Sequence, residues 1–360
     1  MKNITFGLDT FGDMSLDDDG NPVSVGQVIR DVVIQGQFAD ELGLDNFNIG
    51  EHHRDDYSVS APDTILAALA STTKQIILGS GVTVLSSEDP VRVYQRFATI
   101  DALSNGRAQI TAGRGSFTES FPLFGFNLSD YAELFEQKLE LLVELLKEGP
   151  VTWSGSVRAG LNNQEVYPKT DGGQIPLWVG VGGSPESVIR AARLGANMKL
   201  AIIGGDPARF APYANLFRQS LQEMGKPELQ VGIHSPGHIS DTNQQAIEEA
   251  WPNYEIAFGR IGKERGWGPT TKEHFLGEVE SGSLYVGSPE TVANKIVYAI
   301  KALGLSRFDL KYGTGPVPHS QLMRTIELYA NEVVPRVKRS LAAKQFASWT
   351  QTLRYQICCF

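Results

Sequence analysis

GQVIRDVVIQGQFADELGLDNFNIGEHH, residues 26–53, holds in one stretch the unit from which the chain is built. Gly26 to Leu42 reads as a helix, Gly43 occupies the capping position where a left-handed residue ends a helix, and Asp45 to Gly50 reads as a short strand. Period-two alternation puts Phe47 and Ile49 on one face of that strand and Asn48, Gly50 and His52 on the other. His52 therefore lies on the less apolar face and His53 points the opposite way, so the two imidazoles cannot easily share one metal ion unless the backbone turns between them. Three titratable groups, Glu51-His52-His53, gathered at a strand end mark a candidate site. A hydrogen-bonded pair of loop histidines is the plainer reading of the same residues.

Strand-like and helix-like segments repeat outward from this unit. Ile4–Leu8 is the first strand. Helix Asp63–Thr73 leads to strand three, Gln75–Leu85, and helix Pro90–Leu103 leads through the Asn105-Gly106 turn to strand four, Arg107–Gly113. The long amphipathic helix Ser129–Glu148 precedes a hairpin-like insertion, Val151–Pro168. Strand five is Ile175–Val181, with helix Pro185–Leu194 after it, and strand six is Asn197–Ile203, with helix Asp206–Gly225. Strand seven, Leu229–Ile239, is followed by helix Asn243–Glu264 and by Gly266–Tyr285, a Gly-rich, poorly periodic insertion suited to a lid. Helix Pro289–Gly304, strand eight at Arg307–Tyr312 and a last helix from about His319 to Leu341 complete the series.

Eight strands each followed by a helix predict an α/β fold of the (β/α)8 TIM-barrel type, with insertions before strand 5 and after strand 7. No linker divides the chain, so residues 1–344 are expected to form one barrel domain. The tail, residues 345–360, has no place in this scheme; a frayed end, a segment crossing to another subunit and an addition foreign to the fold all satisfy the sequence.

The chain has 360 residues, 41% hydrophobic and 20% charged, and a formal net charge of -9, which argues against a nucleic-acid or anionic-membrane surface and points to a small-molecule partner. Its two cysteines, Cys358 and Cys359, are adjacent and can build neither a disulfide framework nor a spaced thiolate metal site, as suits a cytoplasmic protein. The N-terminus lacks the apolar core of a signal peptide, and no apolar run approaches the roughly 18 residues of a membrane span.

In such a barrel the chemistry collects at the C-terminal ends of the strands. Val179-Gly180-Val181-Gly182-Gly183-Ser184-Pro185-Glu186 runs from strand five into a helix start, leaving backbone N–H groups at the positive end of a helix dipole. Ser184 is placed to cap that helix and Pro185 to open it. Arg114 follows strand four, next to strand five in the barrel, where a guanidinium can reach the same anion. Gly79 and Gly81 interrupt the β-branched strand three, a pattern that fits a bulge, a flat ligand close to the backbone, or barrel curvature. His234 and His238 share a face of strand seven and could extend the pocket. No H-E-x-x-H spacing supports a metal, and no G-x-S-x-G supports a serine hydrolase.

The ordered set Gly50-Glu51-His52-His53, Leu78 to Leu85, Asp89 to Arg92, Asp101 to Arg107, Gly113-Arg114-Gly115 and Val179 to Ser184 resembles the bacterial luciferase-like, flavin-dependent monooxygenase family over roughly residues 3–341. The resemblance implies a (β/α)8 barrel that binds reduced FMN, activates O2 as a flavin C4a-hydroperoxide and oxygenates a small organic substrate. It implies a catalytic role for His52 and places Gly81 and Val82, joined by a non-prolyl cis peptide, under the flavin ring. Arg114, Gly182, Gly183, Ser184 and Glu186 match the residues around the FMN phosphate. A separate flavin reductase and a homodimer follow from the same resemblance. Gly113 stands where the light-emitting enzymes carry a reactive cysteine, and Gly182-Gly183 replaces an acidic residue and a serine, so the non-luminescent branch is the better match. The other readings are an oxidoreductase using the deazaflavin F420, a flavin-binding protein without turnover, and a metal-dependent barrel hydrolase using His52, His53, His234 and His238.

Overall fold

The computed structural model describes residues 4–115, 117–170 and 173–343, so the expectation for the tail 345–360 lies outside the described residues. Eight parallel strands form a closed barrel: β1 (Thr5–Thr10), β2 (Asn46–Ile49), β3 (Ile77–Ser80), β4 (Ala108–Gly113), β5 (Leu177–Val181), β6 (Asn197–Ala201), β7 (Val231–Ile239) and β8 (Arg307–Lys311). Each pairs with the next in sequence, and β8 pairs with β1 to close the ring. The (β/α)8 expectation is therefore met. Among the described residues no helix is long and apolar enough to cross a membrane.

The alternation in β2 has the consequence expected of it. Phe47 and Ile49 are fully buried in the apolar layer between sheet and helices, where each large side chain contributes about 1.5–3 kcal/mol. Asn48 points into the barrel instead, where its amide donates to Asp9 Oδ1 at 2.6 Å. Glycine makes this polar interior possible by close approach: a Cβ on Gly79 would lie 2.4 Å from Asn48 Oδ1, and one on Gly7 would lie 2.3 Å from Asp309 Oδ1.

Strand three is shorter than Gln75–Leu85. Pairing with β4 runs through Gly79 opposite Gln109 and resumes at Thr83 opposite Ala112, so four steps on one strand face three on the other. The extra residue makes a bulge, and the Gly81-Val82 peptide inside it is cis. The helix expected from Ser129 begins at Tyr131, after a 3-10 turn over Leu128–Asp130, and the last helix passes through a π-type segment at Tyr329–Val333.

Both insertions are present. The first is an antiparallel hairpin of Val151–Trp153 with Leu161–Gln164. The second, read from its sequence as Gly-rich and poorly periodic, holds the helix Lys272–Glu280, and a strand, Tyr285–Gly287, then pairs with the end of β7. That helix buries only Phe275 and Val279, against Ala250 and Tyr254 of the helix Asn243–Arg265, and two buried apolar positions in nine residues, with Leu276 exposed, are too few for periodicity to reveal.

Candidate active site

The C-terminal ends of the strands surround a cavity of about 320 Å³. Every strand contributes to its wall: Asp9 from β1, His52 after β2, Gly81 and Val82 after β3, Arg114 after β4, Gly182 after β5, Lys199 from β6, His234 from β7 and Lys311 from β8. Phe258 and Ile261, on the helix Asn243–Arg265, and Trp267 just beyond it also line it, so the end of that helix takes part of the place expected for a lid.

His52 is buried in an aromatic collar. Its ring lies 4.9 Å edge-on from both Phe11 and Phe117 and 4.4 Å from Tyr57. Nδ1 is 3.5 Å from Oε1 of Glu119, which also accepts the backbone N–H of His53. Burial pushes the Glu119 carboxyl up, but the bonds from His52 and the backbone outweigh it, and the group lies below its ordinary value. His53 turns away as the strand parity requires. Its Nε2 is 3.2 Å from Glu51 Oε1, and this bond, opposed by burial, raises the imidazole above its usual value. The other oxygen of Glu51 accepts the backbone N–H of Val84, tying the loop after β2 to the segment after β3.

Beneath the cavity lies a buried charge cluster. Arg307 binds both carboxylate oxygens of Asp309, the amide oxygen of Gln109 at 2.8 Å and that of Asn48 at 3.1 Å. Lys199 Nζ lies 2.6 Å from Asp309 and 3.7 Å from Asp9. Asp9 also accepts from His234 Nδ1. Burial alone would raise Asp9, but Lys199, His234 and Arg307 hold its carboxyl well below the usual range.

At the other side of the cavity the Arg114 guanidinium lies 5.2 Å from the Tyr131 ring and makes no ion pair among the described residues. After the neighbouring strand β5, Ser184 caps the helix Pro185–Leu194 by accepting from Ser187 N, as expected. A Cβ on Gly182 would meet nothing within 4 Å.

The structure thus brings His52, Gly81, Val82, Arg114 and Gly182 to one cavity, while Gly183 and Ser184 in the loop and Glu186 in the first turn of the helix Pro185–Leu194 lie beyond its lining. His234 joins the cavity but His238 does not. The latter sits further along β7, where Glu249 of the helix Asn243–Arg265 engages its Nε2 at 2.7 Å. Among the described residues no group of three or more His, Cys, Asp or Glu side chains could hold a metal ion.

Sequence reading missed Glu119, Tyr57, Phe117 and the charge cluster. The first three stand in aperiodic loops that carry no signal. The cluster did leave one: Arg307, Asp309 and Lys311 alternate at period two in β8, and Lys199 interrupts an apolar strand.

The sequence profile described as luciferase-like monooxygenase matches residues 10–307. Limonene 1,2-monooxygenase of Rhodococcus erythropolis is 33% identical over 331 residues, 87% of this chain and 82% of that protein. The solved oxygenating constituent of 3,6-diketocamphane monooxygenase from Pseudomonas putida, in complex with FMN, superposes with a TM-score of 0.75 at 18% identity over 93% of this chain and 98% of that one. An F420-dependent secondary alcohol dehydrogenase superposes at 0.71 with 17% identity, covering 93% and 99%. At these identities the two structures speak for the fold.

Proposed function

Because the chain belongs to the luciferase-like monooxygenase family, we propose that it is a flavin-dependent monooxygenase that takes reduced FMN and O2 and oxygenates a small organic substrate. The observation that carries this reading is the meeting of His52, the Gly81-Val82 segment and Arg114 on one cavity. Residues 1–344 then act as one domain, in a cytoplasmic homodimer.

The donor set fits a flavin mononucleotide. Arg114, with no ion pair among the described residues, and the backbone N–H groups at the start of the helix Pro185–Leu194 would hold the phosphate. The Gly81-Val82 backbone and the side chains of Val82 and Val84 offer a flat, largely apolar wall to the ring system. When bound, reduced flavin supplies the two electrons with which O2 delivers one oxygen atom to the substrate and the other to water.

The chain's own residues do the rest. Phe11, Phe117, Phe258 and Trp267 exclude water from the cavity. Glu119 holds His52 through Nδ1, which leaves Nε2, without a protein partner among the described residues, as the atom that takes up or releases a proton. A separate reductase supplies the reduced FMN, since no G-x-G-x-x-G fingerprint for a nicotinamide nucleotide is present.

Anaerobic titration of the full chain with reduced FMN, reduced riboflavin and reduced F420 tests the reading. FMN is expected to bind tightest, and Arg114→Ala to weaken FMN by about 10- to 100-fold, as loss of a charged hydrogen bond implies, without changing riboflavin. Tightest binding of F420 would replace the monooxygenase with a hydride-transferring oxidoreductase, and no flavin affinity would remove the assignment.

A further inference from the structure

His234 is a cavity histidine that the proposed chemistry does not use. Its ring packs against Phe11 at 5.8 Å, and Phe11 in turn meets His52, so the two histidines flank one phenylalanine inside the same chamber. Asp9 holds Nδ1 from below, and Nε2 has no partner among the described residues. The charges around it are already matched. Lys199 and Arg307 balance Asp9 and Asp309, Lys311 pairs with Asp13, and Glu51 engages His53. With Nδ1–H given to the Asp9 carboxylate, the neutral form of the His234 ring presents Nε2 to the chamber as a hydrogen-bond acceptor.

We infer that this chamber selects a neutral, largely apolar substrate carrying one hydroxyl or N–H, and that His234 Nε2 accepts the hydrogen bond from that group, with Asp9 as the positioning residue. The inference rests on the chamber being the substrate site of the proposed monooxygenase. A charged substrate would find no unmatched partner among these buried groups, and burying its charge there would be costly. A substrate with only acceptor atoms would leave Nε2 unsatisfied.

The test is calorimetric binding to the full chain in the presence of oxidised FMN, whose phosphate pairs with Arg114 under the proposed function, using menthol, menthone and p-menthane, which share a carbon skeleton, together with menthylamine and a menthane carboxylate as charged probes. Menthol is expected to bind about fivefold tighter than menthone, the value of one ordinary hydrogen bond, and the charged probes more weakly than p-menthane. His234→Leu brings the menthol-to-menthone ratio to about one. Asp9→Asn inverts it: Asn48 donates to Oδ1 of residue 9, so the new amide turns its NH2 toward His234 Nδ1 and moves the ring proton to Nε2. Simple destabilisation would not reverse a preference. Should His234→Leu fail to fold, the inversion in Asp9→Asn decides alone. A ratio unchanged in a folded variant, or tightest binding of a charged probe, overturns the inference. FMN binding with a wild-type ratio near one removes this inference only, whereas the expected ratios without FMN affinity remove only the cofactor assignment.

Discussion

Oε1 of Glu119 lies 3.5 Å from Nδ1 of His52 and accepts the backbone N–H of His53 at 3.4 Å, so one carboxylate from a loop after β4 fixes both the ring and the main chain of the tripeptide that follows β2. If His52 moves a proton, its orientation depends on that contact. Replacing His52 by alanine should lower turnover by about 100- to 10,000-fold, the usual span for a general acid or base. Glu119→Gln should cost about tenfold, and the double variant should be no slower than His52→Ala alone, since both act through one imidazole. O2 uptake with reduced FMN supplied measures all three. Fully additive losses would mean that Glu119 acts apart from His52.

Arg54 joins the loop after β2 to the helix that lines the cavity from the opposite side. Its guanidinium meets both oxygens of Glu264 at 2.6 and 2.9 Å, meets Asp56, and lies 4.5 Å from the Phe117 ring. Glu264 is 41% exposed, so the coupling in an Arg54→Ala/Glu264→Ala cycle should be only about 0.5–1 kcal/mol and should fall at high salt. Backbone amides 258–265 should nonetheless exchange faster in Arg54→Ala. Unchanged exchange there would show that the ion pair does not hold this helix end down.

The His238–Glu249 pair governs an acid limb of stability. The bond from His238, opposed by burial, holds the Glu249 carboxyl at about 2, against an ordinary value of 4.5. A depressed carboxylate stabilises the fold above its unfolded value and loses that contribution as pH falls through the folded one. The stability difference between the wild-type chain and Glu249→Gln, read from urea denaturation, should therefore be constant above pH 4.5 and shrink as pH falls toward 2. A difference that does not change over this window would remove the assignment.

Gly113 cannot be exchanged for cysteine without disturbing the cavity wall. A Cβ there would lie 2.5 Å from Val82 Cγ2, so the valine has to move. Gly113→Cys should destabilise the chain by about 1–3 kcal/mol, as overpacking does, and should weaken FMN binding while leaving the His52–Glu119 contact intact. Wild-type stability together with wild-type FMN affinity would show that Val82 yields freely.

The barrel was legible because its cause is local and repeated. Phe47 and Ile49 alternate with Asn48, Gly43 stops one helix, Asn105-Gly106 turns into β4, and Ser184-Pro185 starts another helix; each signal lies within a few residues of its effect. The helix Lys272–Glu280 escaped because it buries only Phe275 and Val279, while its third apolar residue, Leu276, faces outward. His238 shared its face of β7 with His234 in sequence but lost the cavity to Glu249, which the helix following β7 folds back over it, a contact set by how that helix packs and not by strand periodicity.

By itself, then, the sequence determined the alternating strands and helices, the parity that separates His52 from His53, and the strand ends where chemistry could gather. Only the closed barrel decided what each polar group meets. Glu119 reaches His52 across 67 positions of chain, and Asp9 reaches His234 across 225, the second contact made inside a ring whose last strand pairs with its first. Backbone periodicity is set by sterics between neighbours, whereas the partner of a buried charge is set by which strands closure brings side by side.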